Sequence, residues 1–548
     1  MKKCLKIFLI STLLLFINQL SAKIYYGLGS EKLKKNMYEF TIKQLDSEAG
    51  FSAINSQKIG IGRSAQEFFS PSGQYLVVYL INKKKVPSEM VIYSTDGFNE
   101  VMRVKVDHFA TVLLWQYLAP IFSEDESVIA LQVAKGKKQN FINAYNLKSG
   151  NLLYSIEFVK KGQLLGQSQS KNTFYVGGKG GVKGYAGLYV YNITDGALLK
   201  TYKEKKRYYL YRSDLASDFF VEKLSDRSIH QYTVFSLDPD TGERVYKQKL
   251  GDTNPVFNKV NSDDNFFYMA HKSGSPKKVN VSKFENNELE LLVSTDGELK
   301  PFHLTASHDG RKFIVASKSN MRLLDRDEPN QIFKMNAPFD VATGFFSNDD
   351  SLVYLREGTG SEVGIVDFTS RKLIGDSGTG RASVKFGQFM ATVALAAATG
   401  GISGGSYIGI AYSRSDTAML LSRDQQKLYV VNAKTNDVTI FNAKNLSGKK
   451  GVATGKNTFG VFQLSEEFYP NDEDSNVIVF SPKSVSYFNS ESIEIISQVK
   501  FHEFINFDFE ENLFFSKSKD DKVQIHQMST GKLINTIENI DNIVVISY

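Results

Sequence analysis

Along most of the chain apolar and polar residues alternate at a period of two, in runs rich in Val, Ile, Tyr and Phe separated by short polar turns. That period marks half-buried strands, and stretches with helical spacing are scarce. Two kinds of turn alternate. The first precedes a strongly apolar run, as in Phe69-Ser70-Pro71-Ser72-Gly73-Gln74-Tyr75-Leu76-Val77-Val78 and Phe122-Ser123-Glu124-Asp125-Glu126-Ser127-Val128-Ile129-Ala130. It returns at 307–315 and 346–354, with weaker copies beginning near Ser170, Ser262, Ser422, Asn471 and Phe509. The second reads Ser94-Thr95-Asp96-Gly97, Thr194-Asp195-Gly196, Pro239-Asp240-Thr241-Gly242 and Ser529-Thr530-Gly531. Asp, Ser and Thr there can bond their own backbone, and Gly supplies the positive φ that closes a hairpin.

The second turns recur mostly at intervals in the forties to low fifties. Four short strands per unit at that period predict the blades of an all-β fold, a β-propeller. The turns mark roughly eleven units, whereas single rings commonly hold four to eight. The expectation is therefore two consecutive propellers, 23–300 and 301–548, dividing where Glu298-Leu299-Lys300-Pro301 interrupts the pattern. The alternative is one seven- or eight-bladed ring with decorated blades. The run Ile543–Ser547 is strand-like and could close a ring against an N-terminal strand.

One unit, Leu428-Tyr429-Val430-Val431-Asn432-Ala433-Lys434-Thr435-Asn436-Asp437-Val438-Thr439-Ile440-Phe441-Asn442-Ala443, resembles the YVTN-type repeat of bacterial secreted β-propellers. Leu188-Tyr189-Val190-Tyr191-Asn192-Ile193-Thr194-Asp195-Gly196 is a looser echo. No unit ends in the Trp-Asp pair of eukaryotic WD repeats, so the chain is WD-repeat-like in pattern only. The resemblance implies a secreted propeller scaffold and carries over no catalytic residue.

Export is expected on independent grounds. Lys2, Lys3 and Lys6 precede the apolar run 7–17, and Leu20-Ser21-Ala22 ends it in small residues, so 1–22 reads as a signal peptide. Cys4 is the one cysteine of the 548 residues and leaves with that peptide, which excludes disulfides, thiolate nucleophiles and Cys-ligated metals from the mature chain. Losing three lysines takes the formal charge from +7 to +4, too weak a balance to imply nucleic acid. The expected place is the periplasm, cell surface or extracellular space.

Two features break the repeat. Between Lys385 and Arg414 there is no charge, and 386–413 forms an apolar Gly/Ala-rich insertion. Phe389, Met390, Leu395, Ile402, Tyr407 and Ile408 are its candidate membrane or partner contacts, against the plainer reading of an insertion packed on the propeller. Charge placement supplies the second feature. If 69–80 and 88–93 are successive strands, the loop between them carries Lys83, Lys84 and Lys85, and equivalent loops in the next blades carry Lys135, Lys137 and Lys138, then Lys179 and Lys183, with Lys277 and Lys278 in a later one. Equivalent loops of a ring emerge on one rim, so these lysines are expected to converge on a basic face for an acidic protein, an anionic glycan or lipid head groups. The plainer reading is that lysines at hairpin tips are solvated and blunt exposed edges.

Catalytic and metal signals are weak. Gly401-Ile402-Ser403-Gly404-Gly405 fits the G-x-S-x-G elbow in form, but blades follow it where a hydrolase domain would have to stand. Gly375-Asp376-Ser377-Gly378 reads as a turn. His303 and His308, five apart across a turn, are a conceivable ligand pair that reads more simply as ordinary surface residues, and Asp238–Glu243 departs from calcium-loop spacing after Gly242. No cofactor, metal or catalytic residue is assigned. The reading favours an exported scaffold for protein–protein or envelope assembly. Its alternatives are a propeller hydrolase or lyase with a central-channel site and a membrane-associated assembly factor using 386–413.

Overall fold

A computed structural model describes residues 23–544 except 35, 83–86, 114–115, 136–138, 159–161, 169, 179–186, 203–205, 213–217, 226–229, 259–264, 275, 318–319, 338, 358–361, 377–418, 423, 433–436, 448–449, 454–459, 464–476, 482, 489–494 and 509–510. The described residues form 47 strands and no helix. Beside a two-stranded hairpin, Thr111–Leu113 with Gln116–Tyr117, they make eleven larger antiparallel sheets. We number these in chain order. Sheet 1 joins Ile24–Lys34, Met37–Asp46 and Ser52–Gly62 to Asn542–Val544; sheets 2 to 11 span 64–106, 108–158, 162–202, 206–249, 256–296, 303–336, 341–376, 419–453, 460–500 and 503–537. Except in sheet 3, which adds His108–Phe109, each of these later sheets is four consecutive strands. The fold is an all-β propeller of eleven blades among the described residues.

The chain forms two compact units, one from residues up to Asn82 with Val91–Glu100 and from Phe501 onward, the other from Lys83–Met90 and Val101–Lys500. In the first, sheet 1 is assembled from both ends of the sequence. Tyr26 lies opposite Val544, Gly27 opposite Ile543 and Leu28 opposite Asn542. The expectation that the final run pairs with an N-terminal strand therefore holds at Ile543. Successive residues of Ile24–Lys34 point to opposite faces, and both faces are covered. Tyr25, Leu45 and Phe51 meet Phe515, Ile525 and Ile540 on one side. Tyr26, Leu28 and Ile42 meet Leu76, Val78 and Tyr93 on the other. Tyr25 donates its hydroxyl to Asp508 Oδ2 at 3.0 Å, and Lys23 Nζ pairs with the same oxygen at 2.8 Å.

In the second unit the same rule repeats from sheet to sheet. Phe313, Val315 and Leu324 of sheet 7 pack against Tyr268, Ala270 and Val281 of sheet 6, while Ile314, Ala316 and Leu323 pack against Val341, Val353 and Leu355 of sheet 8. Each Val, Leu, Ile or Phe among them gains roughly 1.5–3 kcal/mol by leaving water. The same packing corrects the expected architecture. The core shared by sheets 6 and 7 runs through Leu292, Val293, Leu299 and Leu304 without a break near Pro301. Among the described residues the blades number eleven, not seven or eight, and they do not form two consecutive rings, since a separate first ring would close on its own strands whereas sheet 1 takes its fourth strand from Asn542–Val544.

The fourth strand of most sheets carries one extra residue. Pairing skips Leu153, Leu199, Val245, Ile374, Ile496 and Ile534, each left between two paired neighbours and exposed. A bulge bends and twists an open edge so that a second strand cannot add to it, which tolerates apolar side chains there.

The seam between the two ends of the chain is packed closely enough to test. A Cβ at Gly29 would collide with the Asn539 carbonyl oxygen, and Ile540, 1 % exposed, sits against Gly27. We expect Ile540→Ala to cost about 2–5 kcal/mol in denaturant unfolding, with faster amide exchange at Tyr26 and Leu28; unaltered exchange there would show that the seam does not hold the first strand.

Candidate functional site

Each blade presents two edges, and the residues of the first kind of turn are built into one of them. In four sheets a serine donates its hydroxyl to an aspartate two residues on: Ser123 to Asp125 at 2.6 Å, Ser307 to Asp309 at 2.6 Å, Ser347 to Asp349 at 2.5 Å and Ser422 to Asp424 at 2.5 Å. The same serine oxygens accept the backbone N–H five residues on, each at 2.9 Å, from Val128, Lys312, Leu352 and Lys427. The residue after each aspartate takes a left-handed φ of 52–68°, at Glu126, Gly310, Asp350 and Gln425. Serine hydroxyls are the first cause holding Asp125 and Asp349 below the usual carboxylate value. At Asp309 and Asp424 burial pushes upward and is outweighed by the serine hydroxyl and backbone N–H bonds together. The second turn is tied to the same edge: Leu147 N–H donates to Ser127 O, Phe368 to Ser351 O and Ala443 to Gln426 O, at 2.8–2.9 Å. Asp238 behaves likewise, accepting the N–H groups of Asp240 and Thr241, so 238–243 is a blade turn.

A cleft of about 450 Å³ opens on this edge between sheets 8 and 9, lined by Ser347, Asp349, Tyr354, Asp424, Gln426 and Lys444. Its two carboxylates are spoken for by their own turns. Its walls can accept hydrogen bonds from a ligand, but they bring no histidine or cysteine beside a hydroxyl, and so no nucleophile–base pair is assembled there.

The histidines do not form the conceivable ligand pair. His303 begins its strand, 8 % exposed, with Nε2 2.6 Å from Thr305 Oγ1. His308 stands beyond the strand's other end, where its Nδ1 lies 2.7 Å from Asp350 Oδ1 of the next sheet. Far from being a surface residue, His303 is a core one. Burial pushes its imidazole down to about 4, and His271, 3.2 Å from Ser282 Oγ through Nε2, is pushed to about 4 by the same cause.

The opposite edge carries the hairpins between second and third strands. Lys135 ends Val128–Lys135, exposed and opposite Gln139. Lys277 and Lys278 are exposed at the equivalent hairpin of sheet 6, where Lys278 lies opposite Ser273. Lys277 is partly neutralised by Asp252 Oδ2 at 2.9 Å. Of the expected basic rim, Lys83, Lys84, Lys85, Lys137, Lys138, Lys179 and Lys183 lie outside the described residues, as do the signal peptide 1–22, Ser403 and the contacts Phe389, Met390, Leu395, Ile402, Tyr407 and Ile408. No described helix is long and apolar enough to cross a membrane, and no group of three metal-ligating side chains gathers among the described residues.

These blades and their two edges define a multi-bladed β-propeller protein. No protein-family model and no curated protein matches the chain. Similar solved structures include a eukaryotic initiation factor, with 12 % identity over 79 % of this chain and 96 % of its own and a TM-score of 0.35. AztD from Citrobacter koseri matches at 9 % identity over 79 % and 96 %, with a TM-score of 0.31. BamB from Moraxella catarrhalis matches at 11 % over 67 % and 93 %, with a TM-score of 0.29. Likenesses of this order carry no argument about function.

The buried histidines give a pH dependence with a defined sign. Unfolded, His303 binds a proton below about pH 6.5, whereas in the fold it stays neutral down to about 4. The unfolded state therefore holds more protons between these values, and stability falls as pH drops through them. Relative to His303→Gln, the parent protein should lose stability from pH 7 downward, approaching about 3 kcal/mol near pH 4. Parallel pH profiles of the two unfolding midpoints would contradict this.

Proposed function

We propose that this chain is an exported β-propeller scaffold that holds an anionic protein partner on the edge bearing its lysine hairpins. The observation that carries this reading is the register of two hairpins. Lys135 stands at the far end of a strand whose other end, Val128, belongs to the Ser-Asp turn. Lys278, opposite Ser273, stands in the same sense at the end of Phe267–Ser273 away from Phe267, where the chain arrives from the first strand of its sheet. Both hairpins thus leave their blades on the edge opposite the tight turns, which supports convergence of Lys135, Lys137 and Lys138 with the equivalent loops at Lys83–Lys85, Lys179 and Lys183. Side chains at hairpin tips can meet an acidic surface without disturbing the sheets beneath, and a shared positive edge speeds encounter with such a surface.

Export to the periplasm or cell surface is part of this reading and is supported by the charged, apolar and small-residue order of 1–22. A second reading, membrane-associated assembly through 386–413, draws on the uncharged run between Lys385 and Arg414.

Charge reversal of Lys135, which is exposed, together with Lys137 and Lys138 tests the proposal. Co-purification from the native envelope fraction should fall at least about tenfold at low salt and lose its salt dependence. Retention equal to that of the parent chain at both salt concentrations would overturn the rim. A partner retained by the lysine variant and lost on deleting 386–413 would favour the second reading.

A further inference from the structure

Behind the exposed Lys277 lies a second cation that the pattern of loops does not reveal. Lys272, on the second strand of sheet 6, keeps 6 % of its surface, and no described carboxylate comes within 4 Å of its ammonium. Two backbone approaches fix its surroundings. Gly251 donates its N–H to the Lys272 carbonyl at 2.5 Å, which brings Asp252 alongside. At Gly297 a Cβ would collide with the Lys277 carbonyl oxygen, which brings the connection bearing Glu298 and Lys300 against the Lys277 hairpin.

The neighbouring carboxylates are engaged elsewhere. Asp252 pairs with Lys277 at 2.9 Å. Asp296 is held by Arg322 Nη2 at 3.3 Å and Lys334 Nζ at 2.5 Å, and Glu298 lies 3.8 Å from Lys334. Arg322 is 5 % exposed, and its Nε is buried without a partner among the described residues, as is Thr295 Oγ1. Five cations, Lys272, Lys277, Lys300, Arg322 and Lys334, thus surround three carboxylates, Asp252, Asp296 and Glu298. Burial is the first cause holding the Lys272 amine below its ordinary value; Asp252 and Asp296 oppose it, while Lys300 and Lys277 add to it. The Lys272 stem is packed in the blade while its amine lacks a described carboxylate at ion-pair distance, and an incoming oxyanion supplies that counter-charge.

We propose that the space bounded by Lys272, Lys277 and Lys300 is an oxyanion site, which takes a carboxylate or phosphate group with Lys272 as its anchor. It rests on the preceding reading only for the identity of the partner that carries the group. The group enters from the hairpin edge, where Lys277 and Lys300 are exposed and can follow it.

The test uses the full chain with its lysines converted to 13C-dimethyl-lysines, which keep their charge, and Lys272→Met to assign the Lys272 resonance. Inorganic phosphate and a hexaglutamate peptide are titrated separately. The site predicts a saturable shift of the Lys272 signal and a rise in its amine pKa with at least one probe, because an anion favours the charged form. A response to the peptide alone makes a carboxylate the group recognised, and a response to phosphate alone makes it a phosphate. Lys272→Met should weaken binding of the effective probe by about tenfold or more. A Lys272 signal unmoved by either probe, in the folded parent chain, overturns the site. The two proposals separate cleanly: with Lys135, Lys137 and Lys138 reversed, the Lys272 shift should persist, so its loss with an intact rim sinks only this inference.

Discussion

A four-stranded sheet whose two faces are both apolar cannot cover either by itself. Everything else in this protein follows from that constraint. Sheet 7 shows it most plainly: Phe313 and Val315 reach one neighbour while Ile314 and Ala316 reach the other, so consecutive residues of one strand belong to different cores. Stability is then a sum of sheet-to-sheet interfaces, and an array of this kind has exposed apolar faces wherever it stops. Sheet 1 answers that problem, because its strands come from both ends of the chain and each of its faces is covered.

The edges carry what the faces cannot. On one edge, Ser-Asp turns and glycine-bearing turns lock each other through side-chain and backbone bonds, and their carboxylates are consumed in doing so. The other edge carries the hairpins between second and third strands, and among the described residues Lys135, Lys277 and Lys278 stand exposed there. Behind that edge Lys272 and Arg322 are buried residues, 6 % and 5 % exposed.

Much of the fold was legible because turn chemistry leaves few choices. Ser123 with Asp125, or Ser307 with Asp309, stand where a hydroxyl must both donate and accept, and Gly196 and Gly242 stand where φ is positive. The count of about eleven units agreed with the structure, but grouping them into two rings leaned on the usual size of propellers, not on any residue. Period-two reading could not foresee the bulges, because Leu152-Leu153 and Leu198-Leu199 look like lapses in alternation until one residue of each pair is seen to be skipped. It placed His303 on the surface because a strand's first residue carries no mark of which neighbour covers it. Lys272 was invisible for a related reason: the charges that act on it, Asp252 and Lys300, lie on connections 20 and 28 residues away, and only the stacking of blades brings them together.

The central claim is that the first and last strands of the chain share one sheet. It can be measured by attaching nitroxide labels to cysteines at Ser30 and Asn539 of the chain lacking residues 1–22, which has no other cysteine. Pulsed electron resonance should then give a single short separation of about 10–20 Å, set by neighbouring segments and two label arms. A long or broad separation, as two independently closed rings would produce, would contradict the account.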